Sequence, residues 1–315
     1  MYRLPSATRS LLELAVTFLP LALLWGLAWL ALSISIWLTL LLAIPAAGFL
    51  VRLFMIQHDC GHGSFFRRRV TNDWVGRIIG VLTLTPYDVW RRSHAVHHAT
   101  TGNLDRRGTG DIHTITVDEY RSLNWCGRLL YRLYRHPFVL FGIGPGYIFI
   151  LQNRLPLGFM SAGWKYWLSA MATNVGIAAF VVGMIAAVGA KPFLAVHLPI
   201  VLMASTIGVW LFYIQHQFED THWEEQTDWN VHDAALQGSS HYDLPFILRW
   251  LTANIGVHHV HHLCSRIPYY RLPEVLRDFP ELAEVKRITL LESFRLTGLR
   301  LWDSEKRQLV SFRDI

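Results

Sequence analysis

Residues 36–66 read IWLTLLLAIPAAGFLVRLFMIQHDCGHGSFF, an apolar run that leads directly into two histidines four positions apart, His58 and His62. Ile36 to Phe54 is close to the ~20 residues needed to cross a bilayer as a helix. Three further stretches have the same character: Leu11 to about Leu32, Trp167 to Val188, and Phe193 to Ile214. The first of these carries only Glu13, near its start. Ser33–Ser35 joins the first two spans, and Gly189-Ala-Lys-Pro192 joins the last two. The chain is therefore expected to be an all-α integral membrane protein, with four transmembrane helices in two hairpins and a single domain over 1–315. Two tight hairpins place both termini and the long sections 55–165 and 216–315 on one side.

Charge sets that side. Of the 29 Lys and Arg, 28 fall in residues 1–10, 52–165 and 217–315, leaving only Lys191 at the opposite end. By the positive-inside rule the crowded side is cytoplasmic. The formal net charge of +6 and the pI of about 9.4 then need no nucleic acid to explain them, and no recognition motif suggests one. Hydrophobic residues make up 52% of the chain and charged residues 17%, with a mean hydropathy of +0.27, more apolar than a soluble domain. Three cysteines without paired spacing give no disulfide framework and suit a reducing compartment. No cleavable leader is evident, so the first apolar stretch is expected to remain as a span.

Working outward from His58 and His62, the chain carries sixteen histidines, and seven more fall into two further clusters. These are His94-Ala-Val-His97-His98 and His258-His-Val-His261-His262. Offsets of i, i+3 and i+4 put imidazoles on one helix face, one turn apart, so each cluster aims two or three nitrogens at one point. Neutral imidazole is the commonest protein ligand for first-row transition metals, and eight of them exceed what one ion needs. The expected ligands are His58, His62, His94, His97, His98, His258, His261 and His262, holding two metals. A lone histidine would more often be a core or surface residue; three clusters in register are not. His259 leaves the helix on another face and is expected to support or pack. His113, His136, His197, His222, His232 and His241 have no partner at ligand spacing and are read as structural or surface residues.

The clusters lie at span ends or in the cytoplasmic sections, so the metals are expected at the membrane surface where spans 2 and 4 emerge. His216, two residues past span 4, lies at the same level. Trp74–Pro86 and Pro137–Asn153 are apolar but too short or too broken to cross, and are expected in the interface. Trp25, Trp29, Trp37, Trp164 and Trp167 sit near span ends, as interfacial anchors do. Asp59, Asp105, Asp111, Glu219 and Asp220 flank the clusters. They either orient histidines through the second ring N–H or pair with Arg91, Arg92, Arg106 and Arg107. Cys60 is read as a small residue that allows close helix packing. The tail, about Leu290 to Ile315, is expected to close over the cytoplasmic part.

H-x(3)-H followed by two H-x(2)-HH clusters among hydrophobic spans resembles the histidine boxes of the integral-membrane fatty acid desaturases. HDCGHGSFF (58–66), HAVHHATTGNLDRRGTGDI (94–112), FYIQHQFEDTHWE (212–224) and NIGVHHVHHLCSRIPYYRLPEVL (254–276) look like the bacterial acyl-lipid branch. The resemblance covers the chain from about the first box to near the C-terminus. It implies that His216 is a ninth ligand and that the metals are two iron ions. It also implies a reaction in which O2 and two external electrons introduce a cis double bond into an acyl chain. Such a chain offers no acidic proton and no leaving group, which sets aside acid–base and nucleophilic chemistry. In the related acyl-CoA desaturases an Asn stands one turn before the fourth-span histidine; here that position is Phe212, and Asn254 is the geometrical substitute.

The chain has no iron–sulfur spacing, dinucleotide fingerprint or appended cytochrome domain. Electrons are therefore expected from a separate ferredoxin or flavodoxin, for which a basic cytoplasmic face is suited. A bacterial inner-membrane location with a cytoplasmic active site follows from the same resemblance and charge pattern. Two alternatives are a lipid or carotenoid hydroxylase or ketolase of the same superfamily and, more distantly, a histidine-rich metal transporter. Transporters place ligands near mid-membrane on broken helices.

Overall fold

In a computed structural model that describes residues 2–315, four long helices match the four expected spans. They are α1 (Ala7–Ala31), α2 (Ile36–His62), α8 (Trp164–Val188) and α9 (Ala190–His216). Ser6 and Ser35 start the first hairpin by accepting from the Arg9 and Trp37 amides, donors that a helix start leaves unpaired. Over its most apolar stretch 56% of α2 is buried against protein, compared with 6% of α8. α2 is thus the central helix, packed on α1 and α9, and α8 faces outward with Val175 and Val182 exposed.

Several helix boundaries differ from the sequence reading: α1 and α8 begin earlier, at Ala7 and Trp164, and three others bear on the site. α2 runs on through the first histidine box and stops at Gly63, in the left-handed region at φ +70°, where glycine carries no Cβ penalty. α9 likewise continues to His216, so His58, His62 and His216 are helical residues rather than residues after a helix. The second hairpin turns at Gly189 alone (φ +87°). Lys191 and Pro192 belong to the first turn of α9, where proline's missing N–H has no intrahelical partner to lose.

Arg52 lies within the helical span, fully buried beside buried Glu13 of α1. The guanidinium pairs with Glu13 and donates to Thr17 Oγ1 (3.2 Å) and the Trp250 carbonyl, stacking over the Trp250 ring at 4.1 Å. Tyr269 donates its hydroxyl to the same Glu13 carboxylate at 3.0 Å. The pair therefore ties both helices of the first hairpin to the cap formed by the long connections.

The connections form that cap. α3 (Arg69–Leu82) and α4 (Tyr87–Thr100) follow the first hairpin, then α5 (Val117–Ser122) and α6 (Trp125–Tyr134). Next come wide π turns at Phe138–Ile143 and Tyr147–Leu151 around the single turn α7 (Gly144–Gly146). After α9 come α10 (Val231–Gln237), α11 (Phe246–Leu251), α12 (His258–Leu263), α13 (Leu272–Asp278) and α14 (Leu290–Leu296). Val70, Trp74 and Ile78 of α3 are exposed, as are Trp125, Leu130 and Leu133 of α6 and Phe246 and Ile247 of α11. Such one-sided apolar exposure is what an interfacial helix presents to lipid. Trp37 and Trp164 are exposed at helix ends, as anchors are, whereas Trp25 packs inward on Phe193 (6.3 Å).

Two small sheets, not expected from the sequence, pin the ends of the cap. β1 (Ile115–Thr116) pairs in parallel with β4 (Leu301–Asp303), which pairs antiparallel with β5 (Gln308–Val310). β2 (His241–Asp243) pairs in parallel with β3 (Arg287–Thr289). The tail closes over the cap as expected: Tyr213 of α9 donates to the carbonyls of Leu296 (3.1 Å) and Leu299 (2.7 Å).

Removing one member of the buried ion pair leaves the other charged and unpaired. Arg52→Met should destabilise the detergent-solubilised protein by about 3–5 kcal/mol, read as a lowered thermal midpoint. Glu13→Leu combined with Arg52→Met should recover most of that loss. A double variant no more stable than Arg52→Met would show that the two side chains do not act as a pair.

Candidate metal centre

The structure brings all nine expected histidines together, in two groups. His58, His62, His94, His98 and His261 offer ring nitrogens within 4.8 Å of one another, and so do His97, His216, His258 and His262. The division follows helix geometry. In each H-x-x-H-H box the i and i+4 residues, stacked on one edge of the helix, serve one group, and the i+3 residue serves the other. α4 gives His94 and His98 to the first group and His97 to the second; α12 gives His258 and His262 to the second and His261 to the first. α2 completes the first group with His58 and His62, and α9 completes the second with His216. The groups share a wall, where the His98 and His262 rings stack 4.1 Å apart. Eight of the nine were legible from spacing and His216 only through the family resemblance; their division was not legible, because it depends on α4 and α12 lying between the two groups.

One pair of nitrogens faces each other in a way that hydrogen bonding between two neutral rings cannot account for. His97 donates its Nδ1–H to Asp111, and His216 donates its Nδ1–H to the Gly238 carbonyl at 3.1 Å. A neutral ring so bonded carries a lone pair on Nε2, and these two Nε2 atoms lie 3.1 Å apart. Nδ1 of His58 is likewise 3.3 Å from Asp59 Oδ1, and its buried Nε2 has no partner. Further Nε2 pairs stand at 3.0 Å (His62–His94, His216–His258) and 3.1 Å (His94–His98, His98–His261, His258–His262). Burial, reinforced by neighbouring histidines, holds the rings of His94, His98, His258, His261 and His262 far below the ordinary imidazole pKa, so they are neutral. Opposed lone pairs repel unless a cation lies between them. Two nitrogens ~2.1 Å from one ion, at right angles, are about 3.0 Å apart. The donor set therefore fits two transition-metal ions with imidazole ligands.

Neighbouring residues hold the rings. Trp90 stacks on His94 at 4.6 Å and 17°. It reaches that position by lying over Gly61, where a Cβ would sit 2.8 Å from the indole. Cys60 is fully buried packing, as expected, and its carbonyl accepts from Tyr87 at 2.8 Å. Of the flanking acids, Asp59 and Asp111 meet histidines, and the second oxygen of Asp59 accepts from the Tyr269 amide at 2.7 Å. The others are directed elsewhere by the loops that carry them. Asp105 accepts from the Gln226 amide, Asp220 pairs with Lys286, and exposed Glu219 takes part through its backbone carbonyl. Arg107 pairs with Glu119 and Arg91 with Asp73, so neither competes for Asp59 or Asp111. Asn254 adopts φ +55° and its side chain donates to the Tyr269 carbonyl at 3.4 Å, which takes it away from the histidines. His259 turns from the site, its Nε2 2.8 Å from the Leu282 carbonyl, and burial pushes its ring down to about 4.

Phe212, which the sequence marked only as unable to ligate, packs on His97 (4.9 Å) and His216 (5.3 Å). It also lines a cavity of about 500 Å³ that reaches His58, His94 and His258 at the metal level. From there the cavity descends between α2, α9 and the π-turn segment, past Phe54, Val51, Leu50, Ala204 and Val201. Its size and apolar lining suit a small-molecule site, and its length along α9 suits an extended aliphatic chain.

Comparison with known proteins agrees with this arrangement. A family model described as fatty acid desaturase matches residues 35–291. A "Fatty acid desaturase" of Bacillus subtilis (strain 168) is 46% identical over 99% of this chain and 88% of its own length. The "sn-1 acyl-lipid omega-3 desaturase (ferredoxin)" of Synechocystis is 30% identical over 70% of this chain and 61% of its own. The "sn-1 oleoyl-lipid 12-desaturase" of Anabaena variabilis is 28% identical over 78% and 70%. With four apolar helices long enough to span a bilayer, nine histidines gathered at their ends and a family match over most of its length, the chain belongs to the fatty acid desaturase family.

Proposed function

We propose that the chain desaturates acyl chains esterified in membrane lipids, using O2 and two electrons from a separate carrier. The observation that carries this reading is the apolar cavity that runs from the two histidine groups down into the spanning helices. Two iron ions held by the nine imidazoles would supply, with O2 and the two electrons, an oxidant able to take hydrogen from an unactivated methylene. The lipid-ester preference is supported by relatives whose names specify acyl-lipid substrates. The same names favour desaturation over hydroxylation or ketolation. Histidines placed at helix ends, rather than at mid-membrane, argue against a metal transporter.

The protein's own contribution is placement. Apolar walls from Leu50, Val51, Phe54, Leu211 and Phe212 hold an acyl chain and keep water from the reacting carbons. Asp59, Asp111 and the Gly238 carbonyl fix ring tautomers so that lone pairs point inward. Electrons are supplied by a ferredoxin or flavodoxin type of carrier, a reading supported by a ferredoxin-dependent relative. Exposed Arg92, on the outer face of α4, and exposed Arg68 suit an acidic carrier. The charge pattern and the position of the histidine groups support a bacterial inner-membrane protein with termini and metal centre in the cytoplasm.

Expression in a bacterium that lacks polyunsaturated fatty acids and contains a ferredoxin tests the activity. New unsaturated acyl chains in extracted lipids are the expected result, and hydroxylated products or an unchanged profile would overturn the reading. His97→Ala, His216→Ala and His261→Ala should each abolish product while the protein still inserts. His259→Ala should retain substantial activity, and His197, stacked on Phe193 within α9, should be dispensable. If His259→Ala and His261→Ala behave alike, the division by helix face fails. Reporter fusions at both termini and within 99–136 should report cytoplasm and a fusion at Lys191 the opposite side. A periplasmic signal from 99–136 would contradict a single cytoplasmic centre.

A further inference from the structure

Gly208 of α9 sits in the middle of the cavity wall. Ala204, Ser205, Leu211 and Phe212, its neighbours one turn away in each direction, all line the cavity with it. Residues at i±3 and i±4 share a helix face, so the Gly208 Cα faces the cavity rather than the bilayer. A Cβ built there would meet no atom within 4 Å. Gly144, which lines the cavity from the π-turn segment, differs: its Cβ would lie 2.9 Å from the Val139 carbonyl oxygen. The room at Gly208 is therefore cavity space and not a requirement of helix packing. Nor does the backbone require glycine there, because Gly208 lies inside a regular helix without positive φ. Glycine at such a position costs about 1 kcal/mol relative to alanine.

Depth gives this room a consequence. Gly208 lies eight residues before His216 on α9, and Leu50 lies eight residues before His58 on α2. Both are roughly 12 Å along their helices from the histidine level, and both line the cavity. The metal end is marked by His58, whose buried Nε2 has no protein partner. Below Gly208 the α9 wall continues through Ala204 to Val201. Whatever passes Gly208 enters the deep arm.

We propose that Gly208 determines chain-length specificity: by leaving the passage open, it admits the part of the acyl chain beyond the reacting carbons into the deep arm. Bulk at this position would stop long chains before their methylenes reach the histidine level and would leave short ones unaffected. The inference rests on the cavity being the acyl site.

The test is the product profile of cells supplied with myristic, palmitic or stearic acid, analysed by gas chromatography and mass spectrometry of extracted lipids. Gly208→Leu should lower the ratio of desaturated stearate to desaturated myristate by about tenfold or more, the scale of discrimination by a few methylenes in an apolar pocket. Gly208→Ala should shift it in the same direction by less. Metal content per purified chain should stay at the wild-type value in both. Gly183→Leu serves as the control. Its Cβ also meets nothing within 4 Å, but it lies on α8 outside the cavity, so its profile should match wild type. An unchanged ratio in Gly208→Leu at normal membrane level would overturn the proposal. So would equal loss of all chain lengths in both Gly208 variants, which would mark a packing role instead. Failure of the wild-type chain to desaturate any supplied acid would overturn the acyl-site reading itself, a result distinguishable from an unchanged ratio.

Discussion

Opposed lone pairs are the constraint on which this structure depends. His97 and His216 each commit Nδ1 to an oxygen acceptor and so present bare Nε2 atoms to each other at 3.1 Å. In a buried site this is unfavourable for two neutral rings, because two lone pairs cannot hydrogen-bond to each other. It becomes favourable when a cation sits between the rings. Much of the cap can be understood as the means of holding nine rings in that arrangement. Trp90 clamps His94 from the cavity side, Asp59 joins His58 to the Tyr269 backbone, and β2–β3 pairing holds the segments before and after α12 together.

The membrane part serves the same end. α2 and α9 extend past the apolar core and carry histidines on their last turns, so the lipid boundary and the metal level are set by the same two helices. The buried Arg52–Glu13 pair fixes α1 against α2 and reaches the cap through Tyr269 and Trp250. Intramembrane charges are costly and are paired when present. Arg52 precedes His58 by six residues on α2, so the pair and the first histidine group stand on the same helix.

Much of this was legible in the sequence, and the reason differs from element to element. The four spans were readable because uncharged runs of that length have few alternatives. Their ends were not. The polar residues of the first histidine box end a hydropathy argument at Phe54 although the helix runs on to His62, and Lys191 and Pro192 suggest a loop although the first helical turn accepts both. The eight box histidines were readable because i, i+3 and i+4 spacing is a local property, and His259 was separable for the same reason; His216, alone on α9, was indicated only by the family resemblance. Supporting residues were readable only where helix α2 or a returning loop brings the acid to a histidine. Asp59 and Asp111 do, whereas Asp105, Glu219, Asp220 and Asn254 are turned away by loop geometry that spacing does not encode. Strands of two or three residues and the π turns that line the cavity have no periodic signature at all.

The division of the nine histidines predicts two metal sites rather than one enlarged one. Iron determination on the detergent-purified chain from iron-sufficient cells tests it most directly, combined with X-ray absorption for the ligand type. Close to two irons per chain, each surrounded by imidazole nitrogen, is the expected result. An active preparation that holds one metal per chain, or none, would contradict it.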